Sequence, residues 1–142
     1  MYIQIGDYKS QITTELLDII TEAESEMLVQ ADKFSTDTID GYIGHRYDLS
    51  QEYVKTEYDR NYQVLTWAIY LSLYSLFHRV ADSRVPEKVI KDYDDTIEEL
   101  KQIGAAKVNV NLELKVTTND DGDESKNNLR RIGYEAKRSH HI

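Results

Sequence analysis

The chain has 142 residues, 40% of them hydrophobic, and a formal charge of −9, which is enough apolar material for one core in one domain of ordinary size. So acidic a body repels the phosphate backbone, which argues against sequence-independent binding of nucleic acid. It contains no cysteine, which rules out a disulfide scaffold and a thiolate zinc site.

The first residues, Met1-Tyr2-Ile3-Gln4-Ile5, lack the basic-then-apolar order of a signal peptide, and Tyr2 to Ile5 alternates like a short strand. Ile12, Leu16, Ile19 and Ile20 then recur at helical spacing. Met27, Leu28, Ala31, Phe34, Ile39, Tyr42 and Ile43 carry an apolar stripe through a second helix, which Gly41 and Gly44 place as ending near His45. A polar connection follows from about Asp48 to Asp59. The uncharged stretch from Asn61 to Phe77 is short for a membrane span and holds Gln63, Thr66, Ser72, Ser75 and three tyrosines, so it reads as a helix at the centre of a soluble core. This third helix covers about Arg60 to Ala81.

The fourth helix has the clearest grammar. Pro86, the single proline, suits a first turn, and Gly104 suits the position just past an end. Val85, Val89, Tyr93, Ile97, Leu100 and Ile103 share one face, while Glu87, Lys91, Asp94, Asp95, Glu98 and Lys101 share the other. Beyond Gly104 the period changes to two. Val108, Val110, Leu112, Leu114 and Val116 alternate with Asn109, Asn111, Glu113 and Lys115, which predicts a strand with one apolar face. A lone strand needs a partner, either Tyr2 to Ile5 or a neighbouring subunit. An acidic turn, Asp120 to Glu124, comes next. The tail from Leu129 holds Arg130, Arg131, Lys137 and Arg138 against Glu135, net +3, which leaves −12 on the rest. The division expected is a helical body at 1–104, a strand arm at 105–118, and an acidic turn with a basic tail at 119–142. The fold class is mainly α, a four-helix bundle with a C-terminal β-strand and an extended tail.

Tests for chemistry come back empty. His45, His78, His140 and His141 show no metal-binding spacing, and His78 suits the dipole at a helix end. If Gly122 is set at the sixth position of a calcium loop, Thr117 and Asn128 fall where Asp and Glu are required. Phosphate-cradling glycine loops and nucleophile elbows are missing, and no two carboxylates stand out as a pair. No catalysis, metal or cofactor is expected. Tyrosines are more telling: eleven occur against two phenylalanines, with Tyr42, Tyr47, Tyr53, Tyr58, Tyr62, Tyr70 and Tyr74 clustered mid-chain. Such side chains either close a core with their hydroxyls in water or serve an interface, and those in the connection favour an interface. Arg46, just past a helix end, suits the last carbonyls or an acid of a neighbouring chain. Leu129, Ile132 and Tyr134 interleave with the basic residues of the tail, a pattern that favours docking over a merely solvated end.

Three stretches together resemble the Mu-like head-to-tail adaptors of tailed phages, also called head-completion or connector proteins. They are Ile39 to Leu49 with its Tyr42-Ile43 and Arg46-Tyr47, the apolar helix from Val64 to Phe77, and Val85-Pro86-Glu87 opening a helix that passes Tyr93 and Leu100 to close at Ile103-Gly104. The likeness covers about Phe34 to Gly104. Ser50 stands where that family has proline, and the connection from Gln51 to Asp59 is longer. The resemblance implies a non-enzymatic virion protein at the capsid–tail junction, present in the host cytoplasm during assembly. It would form a ring, commonly of twelve copies, between portal and tail or neighbouring connectors, extending the channel for DNA that passes without sequence-specific contact and with no membrane involved. Under it, Leu129, Arg130, Arg131, Ile132, Tyr134, Lys137 and Arg138 are the portal-docking residues. Arg46, Tyr47, Tyr53, Val108, Val110, Leu112 and Leu114 are the subunit-interface residues. Two other readings stand beside it: a small cytoplasmic regulatory or adaptor protein that binds a partner through the same arm, and an enzyme accessory or hydrolase with an unrecognised carboxylate site.

Overall fold

The computed structural model describes residues 1–80, 85–118 and 124–126. Four α-helices carry the core: α1 (Thr14–Thr21), α2 (Ser25–Ile43), α3 (Tyr62–Val80) and α4 (Glu87–Gly104). α3 is packed by α1, α2 and α4, with Val64, Trp67, Ala68, Leu71, Leu73, Leu76 and Phe77 all buried. A helix apolar around most of its girth has to be enclosed, and this one is. The face read from the α4 stripe also holds. Val89, Leu100 and Ile103 are buried, while Glu87, Lys91, Asp94, Asp95, Glu98 and Lys101 are exposed. Tyr93 of α4 stacks on Tyr74 of α3 with ring centroids 3.8 Å apart, and Tyr74 stacks in turn on His78 at 5.3 Å.

Small polar side chains let the helices approach. The Ser35 hydroxyl, fully buried on α2, lies 2.9 Å from the carbonyls of both Ala31 and Ala68, so it satisfies itself on its own helix and on α3. Thr13 caps α1 by accepting from the Leu16 amide at 3.2 Å. Gly104 is the last residue of α4, not the residue beyond it as expected. A Cβ there would stand 2.4 Å from the Tyr42 carbonyl oxygen, so glycine is required by the close crossing of α2 and α4. The left-handed turn after the helix falls on Ala106, at φ 62°.

Two expected strands are corrected. Tyr2 to Ile5 forms none: a 3-10 helix occupies Ile5–Ser10, and Tyr2 and Ile3 are buried side by side. The Asp32 carboxylate on α2 accepts from the Ile3 amide at 2.7 Å and the Tyr2 amide at 3.3 Å, which replaces a ladder. Nor is the regular strand expected over Lys107 to Val116 formed. That stretch is irregular, with a single antiparallel bridge between Leu114 and Tyr47. It leads into a three-residue pairing, Val116–Thr118 (β1) against Glu124–Lys126 (β2), with Val116 opposite Lys126. Alternation nonetheless identified the inward face, because Val110, Leu112 and Leu114 pack on the core.

Two outcomes test this packing. Gly104→Ala should cost about 1–3 kcal/mol through overpacking against backbone. Gly41→Ala, in α2 with nothing within 4 Å of the new methyl, should stabilise by up to about 1 kcal/mol. Thermal unfolding of both variants checks the pair, and equal effects would contradict the crossing. The second outcome concerns alkali. Burial pushes the Tyr8 phenol up to about 12 despite its hydrogen bond with Ser72, and burial also raises Tyr2 and Tyr53 well above the ordinary range. The folded chain keeps these protons where unfolded tyrosine, near about 10, has lost them. Stability is therefore whole below that pH and declines as pH rises toward the folded value, by about 2–3 kcal/mol for Tyr8 alone. Urea unfolding in alkaline buffers should show a shallower decline for Tyr8→Phe than for the parent.

Candidate interaction site

The arm is positioned by one side chain. α2 ends at Ile43, and the turn after it is closed by the amides of Arg46 and Tyr47, both donating to the Ile43 carbonyl at 3.0 Å. This turn delivers His45 and Arg46 to the C-terminal end of α4, where helical carbonyls have no partner within the helix and the dipole favours a cation. His45 Nε2 bonds the Gly104 carbonyl at 2.8 Å. Arg46, only 1% exposed, donates from one nitrogen to the carbonyls of Ile103 and Val108 and from another to Asn109 Oδ1 at 2.8 Å. Among the described residues no carboxylate pairs with it. Neutral oxygens and a helix terminus hold this buried charge, and its guanidinium carbon lies 5.1 Å from the centre of the Tyr47 ring.

Backbone contacts then fasten the rest of the stretch. The Asp48 amide donates to the Glu113 carbonyl at 2.9 Å, and the Lys115 amide to the Arg46 carbonyl at 3.0 Å. The Val110 amide donates to the Tyr47 hydroxyl at 3.3 Å, and Lys115 Nζ to the Gly44 carbonyl at 3.2 Å. Between arm and body lies a cavity of about 360 Å³, lined by Arg46, Tyr47, Asn109, Val110, Asn111, Leu112 and Leu114.

The connection after Leu49 is equally anchored. Ser50 stands at the position where proline was expected, and its hydroxyl and amide donate to Asp48 Oδ1 at 2.7 and 3.0 Å. These bonds close the turn that proline would have closed, and they hold the Asp48 carboxyl below its usual range. Glu52 is buried and accepts from the Tyr2 hydroxyl at 2.6 Å, the Asn61 amide at 2.7 Å and Lys55 at 3.1 Å. Asn61 starts α3, its side-chain oxygen accepting from the amides of Gln63 and Val64. Arg60 clamps Asp7 with two bonds and also donates to the Tyr2 carbonyl.

The residues singled out from sequence therefore divide. Arg46 and Tyr47 lie in the interior, Tyr53 is half-buried against Tyr2 and Asp40, and Val110, Leu112 and Leu114 pack on the chain's own body. Val108 is 39% exposed. Full exposure belongs to Tyr58, with Tyr62 at 82% and Val54 at 72%. Leu129, Arg130, Arg131, Ile132, Tyr134, Lys137 and Arg138 lie outside the described residues, as does most of the acidic turn. Asp32, Glu52 and Arg60 were missed. Asp32 had a signal, because it sits in register with Leu28, Ser35 and Ile39 on the buried face of α2.

Replacing Arg46 by Met should strand the acceptors on Ile103, Val108 and Asn109, lowering stability by about 2–4 kcal/mol. Hydrogen exchange should speed up at the amides of Val110 and Lys115 beyond what the loss of global stability accounts for. Unchanged protection there would mean that the arm is held by its apolar contacts alone.

A family model described as Bacteriophage Mu, Gp36 matches residues 2–128 of the chain. No curated protein and no solved structure matches it.

Proposed function

The chain belongs to the bacteriophage Mu Gp36 family, and we propose that within the phage particle it is a non-enzymatic connector between head and tail. In this reading copies of the chain form a ring between the portal and the tail, extending the channel through which the genome passes. The observation that carries it is the division of the C-terminal extension. Through Lys115 the extension is tied to the body by the Arg46 and Tyr47 contacts. In this reading the net +3 segment from Leu129, outside the described residues, reaches another protein, and the portal is the partner assigned to it.

Charge supports the channel role. The residues before Leu129, net −12, line a passage without holding DNA, since like charge disfavours lingering contact. Exposure supports the ring. Arg46, Tyr47, Leu112 and Leu114 are engaged within the chain, so subunit contacts fall to Tyr58, Val54 and Val108, whose apolar surface faces outward. Among the described residues no helix is long and apolar enough to cross a membrane.

Electron microscopy of the full chain mixed with the portal protein of the same particle tests the reading. A ring coaxial with the portal is the expected image, and the absence of any complex would overturn it. Tyr58→Ala should weaken ring formation by about tenfold or more, as expected for an aromatic anchor. Because the ring of Tyr58 touches nothing in the body, its melting temperature should stay unchanged. Loss of the fold instead would remove Tyr58 from the interface.

A further inference from the structure

α3 presents a ridge of three residues one turn apart, Tyr62, Thr66 and Tyr70, with a depression on either side. One of about 280 Å³ faces the 3-10 helix at Ile5–Ser10. The other, about 410 Å³, lies between α3 and α4, with Asp92, Asp95 and Glu99 along its α4 wall and no cation among its lining residues. Each of the three acids already has a partner: Lys88 with Asp92, Lys91 with Asp95, and Gln63 with Glu99. Both lysines are about 70% exposed, and surface pairs of this kind exchange readily. The Lys88 ammonium also lies 5.5 Å from the centre of the Tyr70 ring, so this ridge already receives a cation on an aromatic face.

We propose that the groove between α3 and α4 seats the basic segment Leu129–Arg138 of the same chain while the protein is free. Charge is complementary: four cations in that segment against three carboxylates along one wall. Leu129, Ile132 and Tyr134 supply apolar groups for the tyrosine ridge. The tether points the same way. Lys126 pairs with Val116, next to Lys115, which is bonded to Arg46 at the end of α4. Asn111 accepts from Asn61, the residue before Tyr62. The arm thus passes beside the groove end formed by Tyr62, Gln63 and Glu99 at Asn111, before Lys115 reaches the end of α2, where it donates to the Gly44 carbonyl. Ten extended residues span up to roughly 33 Å, whereas Asp92 to Glu99 occupies roughly 10 Å of helix. A tether of two residues holds the segment at millimolar effective concentration, so weak contacts suffice to fill the groove. Any partner that takes the segment has to displace it from the groove, which sets a threshold against premature assembly. The inference goes beyond the connector reading and stands or falls without a portal.

Because the chain has no cysteine, Ser139→Cys introduces a single thiol for a nitroxide label on the full-length protein. In the ¹⁵N-labelled chain, the amides of Tyr62 to Tyr70 and Asp92 to Glu99 should lose more than half their intensity, while those of α1 keep theirs. High salt should restore the signals, and so should the combined Asp92→Asn, Asp95→Asn and Glu99→Gln variant, whose fold is followed by its unchanged α1 and α2 resonances. Absence of broadening at the groove would overturn the proposal. So would broadening that appears equally when the label is on an unenriched chain mixed with an unlabelled ¹⁵N chain, since the occupant would then be a second copy.

Discussion

One buried guanidinium organises this molecule. Arg46 takes a charge out of water without a carboxylate among the described residues to neutralise it, a cost of several kcal/mol (about that much per ion) unless its donors are filled. The acceptors that fill them come from three places: the last turn of α4, the turn after it, and the Asn109 side chain. None of the three can move away without leaving the charge bare. The ends of α2 and α4 and the start of the arm are thereby locked as one unit, and the crossing is so close that only glycine fits at position 104.

A second set of buried polar groups does the same at the opposite end of the chain. Asp32 takes the amides of Tyr2 and Ile3, Glu52 takes the Tyr2 hydroxyl and the start of α3, and Arg60 joins Asp7 to the Tyr2 carbonyl. Chain termini fray unless tied down, and here the tie is made by side chains in place of a sheet. The tyrosines suit this design. Tyr2, Tyr8, Tyr47 and Tyr53 bury their rings and spend their hydroxyls on Glu52, Ser72, the Val110 amide and Asp40.

The legibility of the sequence follows the same physics. Helices were readable because their signals are local: apolar residues at spacings of three and four, and a proline and a glycine bracketing α4. The arm was half readable. Its period of two located the inward residues Val110, Leu112 and Leu114, yet a period cannot say whether hydrogen bonds run to a strand or to scattered groups. Here they run to a turn, a phenol and a backbone bridge. Arg46 read as a cap for the last carbonyls of a helix or a contact to a neighbouring chain, and not as a tie to the arm, because its acceptors lie 57 to 63 residues away in sequence. Tyr2 to Ile5 looked like a strand because Ile3-Gln4-Ile5 alternates, yet the buried pair is Tyr2 and Ile3, held by the distant Asp32, and Ile5 is exposed. Glu52 left no local signal, whereas a carboxylate in register with an apolar stripe did mark Asp32.

This arrangement changes what the C-terminal extension is. As far as Lys115 it belongs to the body, and Val110, Leu112 and Leu114 of its apolar face are used in making that body. What it contributes to a partner is therefore position: it carries the chain across the end of α4 and releases it beside β2. The charge from Leu129 onward, net +3, is opposite in sign to the net −12 of the residues before it. With the segment seated in the groove as proposed, a partner would have to present more acid, or a better apolar seat, than α4 and the α3 ridge do. Under the proposed docking, selectivity would come from competition between two surfaces for one segment.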